Sequence, residues 1–191
     1  RLQEALDGLD VALKLDNRHV ESWAKRGQVL RRLKKHDEAL ASFDLAVRLN
    51  PGYAWAWNGR GLTLKEMDRR EEALVSYERA AREDSNVIWY HINQVDILLD
   101  IQRKQEALEV IDGALKHADN NPILWARRGQ VLRRLKQFED AVASYEKALN
   151  LDPSYAWAWN GCGLCYSAMG NWEQAKVCYQ TAIECDDSDV W

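Results

Sequence analysis

Apolar and small residues recur along the chain at intervals of three and four positions, in segments separated by short polar stretches. In one segment these residues are Trp23, Gly27, Leu30 and Leu33. In the segment after it they are Ala39, Phe43, Ala46 and Leu49. Such spacing places the side chains on one face of an α-helix. The pattern therefore predicts pairs of amphipathic helices, each of which buries its apolar face against neighbouring helices.

The two-helix pattern returns every 34 residues, as the alanines show at Ala39, Ala73, Ala107, Ala141 and Ala175. With Val20 as position one, the period predicts five repeats, at residues 20–53, 54–87, 88–121, 122–155 and 156–189. The third repeat is irregular, because His91 replaces its tryptophan and Val95 replaces its glycine. Residues 1–19 match only the second helix of a preceding repeat, and residues 190–191 start a further one. The chain is therefore interpreted as part of a longer array.

Several residue types mark fixed positions within the period. Position four carries Trp23, Trp57, Trp125 and Trp159. Position eight carries Gly27, Gly61, Gly129 and Gly163, where two helices are expected to approach closely. Position 24 carries Phe43, Tyr77, Tyr145 and Tyr179, and Pro51 and Pro153 fall at position 32. This order of residues resembles the tetratricopeptide repeat. The resemblance implies an all-α fold, a right-handed superhelical solenoid of antiparallel helix pairs whose first helices line a concave groove.

Composition and charge narrow the classes of function. The 10 glycines and 3 prolines among 191 residues are few, which favours a mostly helical chain. The net charge of −4 argues against nucleic acid as a partner, although stacking tryptophans and arginines keep single-stranded nucleic acid as an alternative. No apolar run approaches the roughly 18 residues that a membrane span needs. The sequence therefore predicts a cytoplasmic protein with no membrane contact.

No motif for catalysis is found: the chain has no glycine-rich phosphate loop, no nucleophile elbow and no histidine pair at zinc spacing. The four cysteines are Cys162, Cys165, Cys178 and Cys185. Their repeat positions put them on two helices rather than on the tight turn that a structural zinc site uses, so we expect buried free thiols, with a metal or redox site as the alternative. The sequence predicts no enzyme activity and no cofactor.

The resemblance implies that positions 2, 5, 9, 12 and 13 of each first helix face the groove. Position two carries Trp55, Trp89, Trp157 and Trp191, and position five carries Asn58 and Asn160. Positions 12 and 13 carry Arg31, Arg32, Lys65, Arg133 and Arg134. Aromatic and guanidinium groups dominate binding surfaces, and asparagine can pair with a peptide backbone. We predict that these residues bind another protein or an extended peptide. In the alternative interpretation the tryptophans pack on Tyr53 and Tyr155, and the arginines form a solvated face.

A segment longer than one repeat is also duplicated in the chain. Residues 23–62 and 125–164 are identical at 26 of 40 positions, which indicates either a recent duplication or two equivalent binding sites. The sequence thus favours a protein-interaction scaffold. Two alternatives stay open: the array is the regulatory or assembly arm of a larger enzyme, or it self-associates through uncapped ends.

Overall fold

The computed structural model describes residues 1–187. Over this range the chain forms eleven α-helices and no strand. Their bounds are α1 Leu2–Leu15, α2 Val20–Arg32, α3 His36–Leu49, α4 Ala54–Glu66, α5 Arg70–Glu83, α6 Ile88–Asp100, α7 Lys104–Leu115, α8 Pro122–Arg134, α9 Phe138–Leu151, α10 Ala156–Ala168 and α11 Trp172–Asp187. The predicted all-α fold of helix pairs is confirmed, whereas the handedness of a superhelix stays a prediction.

The turn between the two helices of each pair contains a residue with a left-handed backbone. These residues share repeat position 15, have φ from 60° to 80°, and are Lys34, Asp68, Gln102, Lys136 and Gly170. Residues other than glycine adopt this conformation at a free-energy cost. In four repeats a residue other than glycine adopts this conformation, and only the fifth repeat has glycine there.

The side chain at position four anchors the loop before each first helix. The Trp23 indole Nε1 donates to the carbonyl oxygen of Asn17, six residues earlier, at 2.8 Å. Trp57, Trp125 and Trp159 make the same contact. In the irregular third repeat, His91 Nε2 lies 3.2 Å from the Ser85 carbonyl oxygen, also six residues earlier. The imidazole therefore replaces the indole in the same structural role.

Arg1–Ile97 form one compact unit, in which α1 packs on α2, α2 on α3, α3 on α4 and α4 on α5. The Phe43 ring of α3 packs against α2 and α4 and is 1% exposed. A Cβ atom added at Gly27 or Gly59 would lie 2.9 or 2.3 Å from this ring. The close approach predicted at position eight is confirmed at Gly27, and the structure adds a closer one at position six.

The second compact unit begins at Leu98, and in it α7 packs on α8, α8 on α9, α9 on α10 and α10 on α11. Tyr145 takes the place of Phe43 and is 1% exposed. A Cβ atom at Gly129 or Gly161 would lie 2.9 or 2.4 Å from the tyrosine ring. The duplicated regions therefore share one packing scheme, an aromatic ring held between two glycines.

Three repeats also share a polar feature that we call the arginine bridge, made by the arginine at position seven. Arg128 Nε donates to Asp112 Oδ1 at 2.7 Å, and its Nη1 donates to Ser144 Oγ at 2.8 Å. The guanidinium carbon lies 5.9 Å from the centre of the Trp125 ring. Equivalent bridges join Arg26 with Asp10, Ser42 and Trp23, and Arg60 with Asp44, Ser76 and Trp57. Each bridge ties a first helix to the second helices before and after it.

Candidate functional site

In the first unit, the predicted groove residues Arg31, Trp55 and Asn58 lie together. They line a hollow of about 120 Å³ between α2 and α4. Helix periodicity explains the arrangement, because positions two and five of α4 lie on one face, beside the last turn of α2. The sequence therefore identified one cluster in this unit.

Trp55 is half-buried rather than freely exposed. Its ring centre lies 6.5 Å from that of Phe43, edge to face, and 6.1 Å from that of Tyr53. The packing on Tyr53 that the alternative interpretation expects is present. Because the same ring also lines the hollow, Trp55 contributes both to the core and to the accessible face.

Arg31 and Asn58 each bind a residue of the neighbouring repeat. Arg31 Nη1 donates to Glu66 Oε1 at 2.5 Å, and His36 Nδ1 lies 3.3 Å from Glu66 Oε2. The Asn58 carboxamide oxygen accepts a hydrogen bond from Asn93 Nδ2 at 2.7 Å. Both contacts join residues 35 positions apart. The first unit therefore already neutralises the charge of Arg31 internally.

The second unit presents a related face with different partners. Trp157 packs on Tyr145 and Tyr155, with ring centres 6.2 and 6.0 Å apart. The guanidinium carbon of Arg127 lies 5.1 Å from the centre of the Trp157 ring, a cation–π contact. Trp157 and Asn160 line a hollow of about 430 Å³ together with Tyr179 and Ile183 of α11. The sequence prediction did not include Arg127.

Arg133 stands at the repeat position of Arg31 but has a different environment. The residue that corresponds to Glu66 is Ala168, so the carboxylate is missing. Among residues 1–187, no acidic side chain forms an ion pair with Arg133. Its buried Nε has no hydrogen-bond partner, which is also true of Arg31. Burial raises the pKa of Tyr145 to about 12, although the adjacent Arg133 acts in the opposite direction. Arg133 is thus a half-buried cation without a counter-charge in the described chain.

The other predicted groove residues are dispersed. Arg32, Lys65 and Arg134 are exposed, and Trp89 is 53% exposed at the start of α6. Trp191 lies outside the described residues. The structure therefore gathers the tryptophan, asparagine and first arginine of the first duplicated region in one hollow. In the second region, Trp157 and Asn160 line a hollow whose walls do not include Arg133. The second arginines, Arg32 and Arg134, are exposed.

The cysteines are free thiols, and Cys162, Cys165 and Cys178 are buried. Burial raises the pKa of Cys162 to about 12 and that of Cys165 to about 11, so both thiols are protonated at neutral pH. Within the described range, no group of three or more His, Cys, Asp or Glu side chains is placed to hold a metal ion. No helix in residues 1–187 is long and apolar enough to cross a membrane.

Sequence models of the tetratricopeptide repeat match four parts of the chain: residues 20–53, 56–87 and 156–189, and, as a TPR repeat, residues 129–170. No curated protein sequence matches the chain.

Solved structures share the fold. YrrB, described as a TPR protein with an unusual peptide-binding site, is 20% identical, with a TM-score of 0.71 over 93% of this chain and 91% of its own. MamA from Desulfovibrio magneticus is 17% identical, with a TM-score of 0.75 over 90% of this chain and 97% of its own. The C-terminal part of a TPR repeat-containing protein from Cytophaga hutchinsonii is 16% identical, with a TM-score of 0.81 over 98% of this chain and 75% of its own.

Proposed function

Because the chain belongs to the tetratricopeptide repeat family, we propose that it is a protein-interaction scaffold that binds an extended segment of a partner protein along its first helices. The residues assigned to this binding are Trp55, Asn58, Trp89, Trp157, Asn160, Trp191, Arg31, Arg32, Lys65, Arg133 and Arg134. Half-buried tryptophan rings provide rigid apolar contact area at small entropic cost. YrrB is described as having a peptide-binding site, which agrees with a ligand of this kind.

The observation that carries the proposal is the environment of Arg133. Arg31 and Arg133 both have a buried Nε without a hydrogen-bond partner, but only Arg31 has a carboxylate partner among residues 1–187. A half-buried guanidinium without a carboxylate is unfavourable, because little offsets the water that it has lost. A carboxylate from a ligand would supply the missing ion pair. We therefore propose that the second unit binds a segment with an Asp, a Glu or a free C-terminal carboxylate.

A displayed library of random peptides, selected on the purified protein, provides the ligand for a test. The affinity of one selected peptide is then measured by isothermal calorimetry for the parent and for Trp157→Ala, with circular dichroism as the control for folding. Truncation of a central tryptophan typically weakens binding by roughly tenfold or more. We expect that loss here, and we expect the selected peptides to be rich in acidic residues.

Trp172→Ala is the matched control, because Trp172 is a 68% exposed tryptophan on the second helix of the same repeat. It should leave the affinity unchanged. Equal affinities for the parent, Trp157→Ala and Arg133→Ala would contradict the proposal.

Self-association is a second candidate, which an apolar surface on α11 favours. Trp172 and Ile183 are 68% and 63% exposed, and with Ala175 and Tyr179 they line a hollow of about 660 Å³. Exposed apolar surface of this kind is typical of interaction sites. A second copy that covers it would give a sedimentation coefficient that rises with concentration and stays constant in Ile183→Glu. Monomeric sedimentation of the parent at all concentrations would exclude this candidate.

A further inference from the structure

The fifth repeat lacks the arginine bridge, although it keeps the position-four tryptophan on which the arginine lies in three other repeats. Cys162 stands at the position of Arg128, and Cys178 stands at the position of Ser144. The Trp159 indole still donates to the Pro153 carbonyl oxygen at 2.9 Å, so the ring is anchored like its counterparts. Over the described part of the chain, no cation lies on the Trp159 ring.

The missing arginine leaves a large cavity. A space of about 860 Å³ lies between α9, α10 and α11, and its walls include Glu146, Trp159, Cys162, Tyr166, Glu173 and Cys178. In the repeat before it, the guanidinium of Arg128 occupies the corresponding place, between a tryptophan ring and a carboxylate. The third repeat also lacks the arginine, but there the longer Gln94 stands at that position.

The charge of the cavity is negative. Glu146 occupies the repeat position of Asp112, the carboxylate that holds Arg128. Glu146 and Glu173 are the charged groups among the residues that line the cavity. Burial keeps the thiol of Cys162 protonated, since its pKa is raised to about 12. Within residues 1–187, the Glu146 carboxylate forms no ion pair or hydrogen bond with another side chain.

We propose that this cavity binds the guanidinium group of an arginine side chain from a partner protein, stacked on Trp159 and paired with the Glu146 carboxylate. The partner's arginine would restore, between two molecules, the contact that three other repeats make within the chain. Arginine fits better than lysine, because a planar guanidinium stacks on an indole and binds a carboxylate through two donors.

This site is separate from the proposed peptide-binding face. Trp159, Cys162 and Tyr166 are spaced three and four positions apart on α10, whereas Trp157 and Asn160 point to the opposite side of the helix. Loss of one site therefore leaves the other intact, and each can be tested alone.

The probe is the blocked tripeptide acetyl-Gly-Arg-Gly-amide, titrated into the ¹⁵N-labelled protein while the tryptophan indole N–H signals are followed by NMR. We expect the Trp159 indole signal to shift in a saturable way. The matched probe has citrulline in place of arginine, which keeps the shape and removes the charge, and should produce no saturable shift. A response to citrulline equal to that to arginine would overturn the proposal, and so would no response to arginine.

Two variants locate the binding. Glu146→Gln removes the carboxylate and should weaken binding by roughly tenfold, as expected for loss of a charge-assisted hydrogen bond. Cys162→Arg places an arginine in the cavity and should abolish binding of the tripeptide. The protein should stay folded, because Arg128 occupies the same repeat position in the preceding repeat. Glu139→Gln, an exposed acidic residue outside the cavity, is the control and should bind like the parent. Parent-like affinity in both Glu146→Gln and Cys162→Arg would overturn the assignment.

Discussion

The two duplicated regions share their core packing but differ in the charges on the face that we propose binds a partner. Residues 23–62 and 125–164 are identical at 26 of 40 positions, and both hold an aromatic ring between two glycines. In the first region, Arg31 pairs with Glu66 of the next repeat. In the second, Ala168 stands where Glu66 would be, and Arg133 has no carboxylate among the described residues. The two regions thus share their packing, while a residue just beyond the duplicated segment changes the charge of the proposed binding face.

A second difference lies on the other side of the same helices. The first region carries Arg60, which bridges Asp44, Ser76 and the Trp57 ring. The second region carries Cys162 at that position, next to a cavity of about 860 Å³. At this position, arginine is therefore bridged within the chain, whereas cysteine lies beside the cavity that we propose as an arginine site.

The largest effect is expected at the shared core. Gly161→Ala places a methyl group 2.4 Å from the Tyr145 ring, and Gly59→Ala places one 2.3 Å from the Phe43 ring. We expect each variant to lose ~1–3 kcal/mol of stability, as is typical of overpacked cores. Gly113→Ala is the control: nothing lies within 4 Å of its added methyl group, so it should stabilise α7 by ~0.5–1 kcal/mol. Urea unfolding in which Gly161→Ala and Gly59→Ala are at least as stable as the parent would show that the ring contacts are not tight.

The next effect concerns the arginine bridge. Arg60→Cys gives the first region the residue of the second, and it removes hydrogen bonds to Asp44 and Ser76. Because the Arg60 side chain is 19% exposed and Asp44 is 40% exposed, solvent screens part of the loss. We expect about 1–2 kcal/mol of destabilisation. The same measurement on Arg128→Cys should give a similar value, and parent-like unfolding of both variants would show that the bridges do not stabilise the fold.

A smaller difference should appear at alkaline pH. Burial raises the pKa of Cys162 from 9.0 to about 12 and that of Cys165 to about 11. The thiols therefore ionise first in the unfolded state, so their contribution to stability is complete below pH 9 and is lost as the pH rises through 9 to 12. Cys162→Ala with Cys165→Ala should flatten the fall of the urea midpoint between pH 8 and pH 10.5. Parallel profiles for parent and variant would contradict the burial of these thiols.

The fold could be predicted from the sequence because the spacing of apolar residues determines each helix, and the position-four tryptophans contact residues close to them in sequence. Contacts between repeats were harder to predict, because they depend on how neighbouring helices align. Arg31 with Glu66, and Asn58 with Asn93, lie 35 positions apart, one repeat plus one residue. Pairs at that spacing carry a signal that the sequence analysis did not use. The arginine bridges carry another, since Asp10, Arg26 and Ser42 are spaced 16 residues apart.

From the sequence, packing of Trp55 on Tyr53 and of Trp157 on Tyr155 was only an alternative to a binding role, and both contacts are present. The half-buried state of these tryptophans also has a cause that the sequence did not indicate. It depends on rings of the preceding repeat, Phe43 and Tyr145, which reach across to the first helix of the next one. A side chain as large as tryptophan can therefore line the groove and contact the core at the same time.

The most direct test of the proposed function exchanges the residue that distinguishes the two faces. Ala168→Glu gives Arg133 the partner that Arg31 has, and Glu66→Ala removes that partner from Arg31. The affinity of one selected acidic peptide is measured by calorimetry for the parent and both variants, with Ala168→Gln as the uncharged control. If the unpaired Arg133 binds the ligand carboxylate, Ala168→Glu weakens binding by roughly tenfold, Ala168→Gln has little effect, and Glu66→Ala does not weaken it. Equal affinity of the parent and Ala168→Glu would contradict the proposed role of the first-helix face.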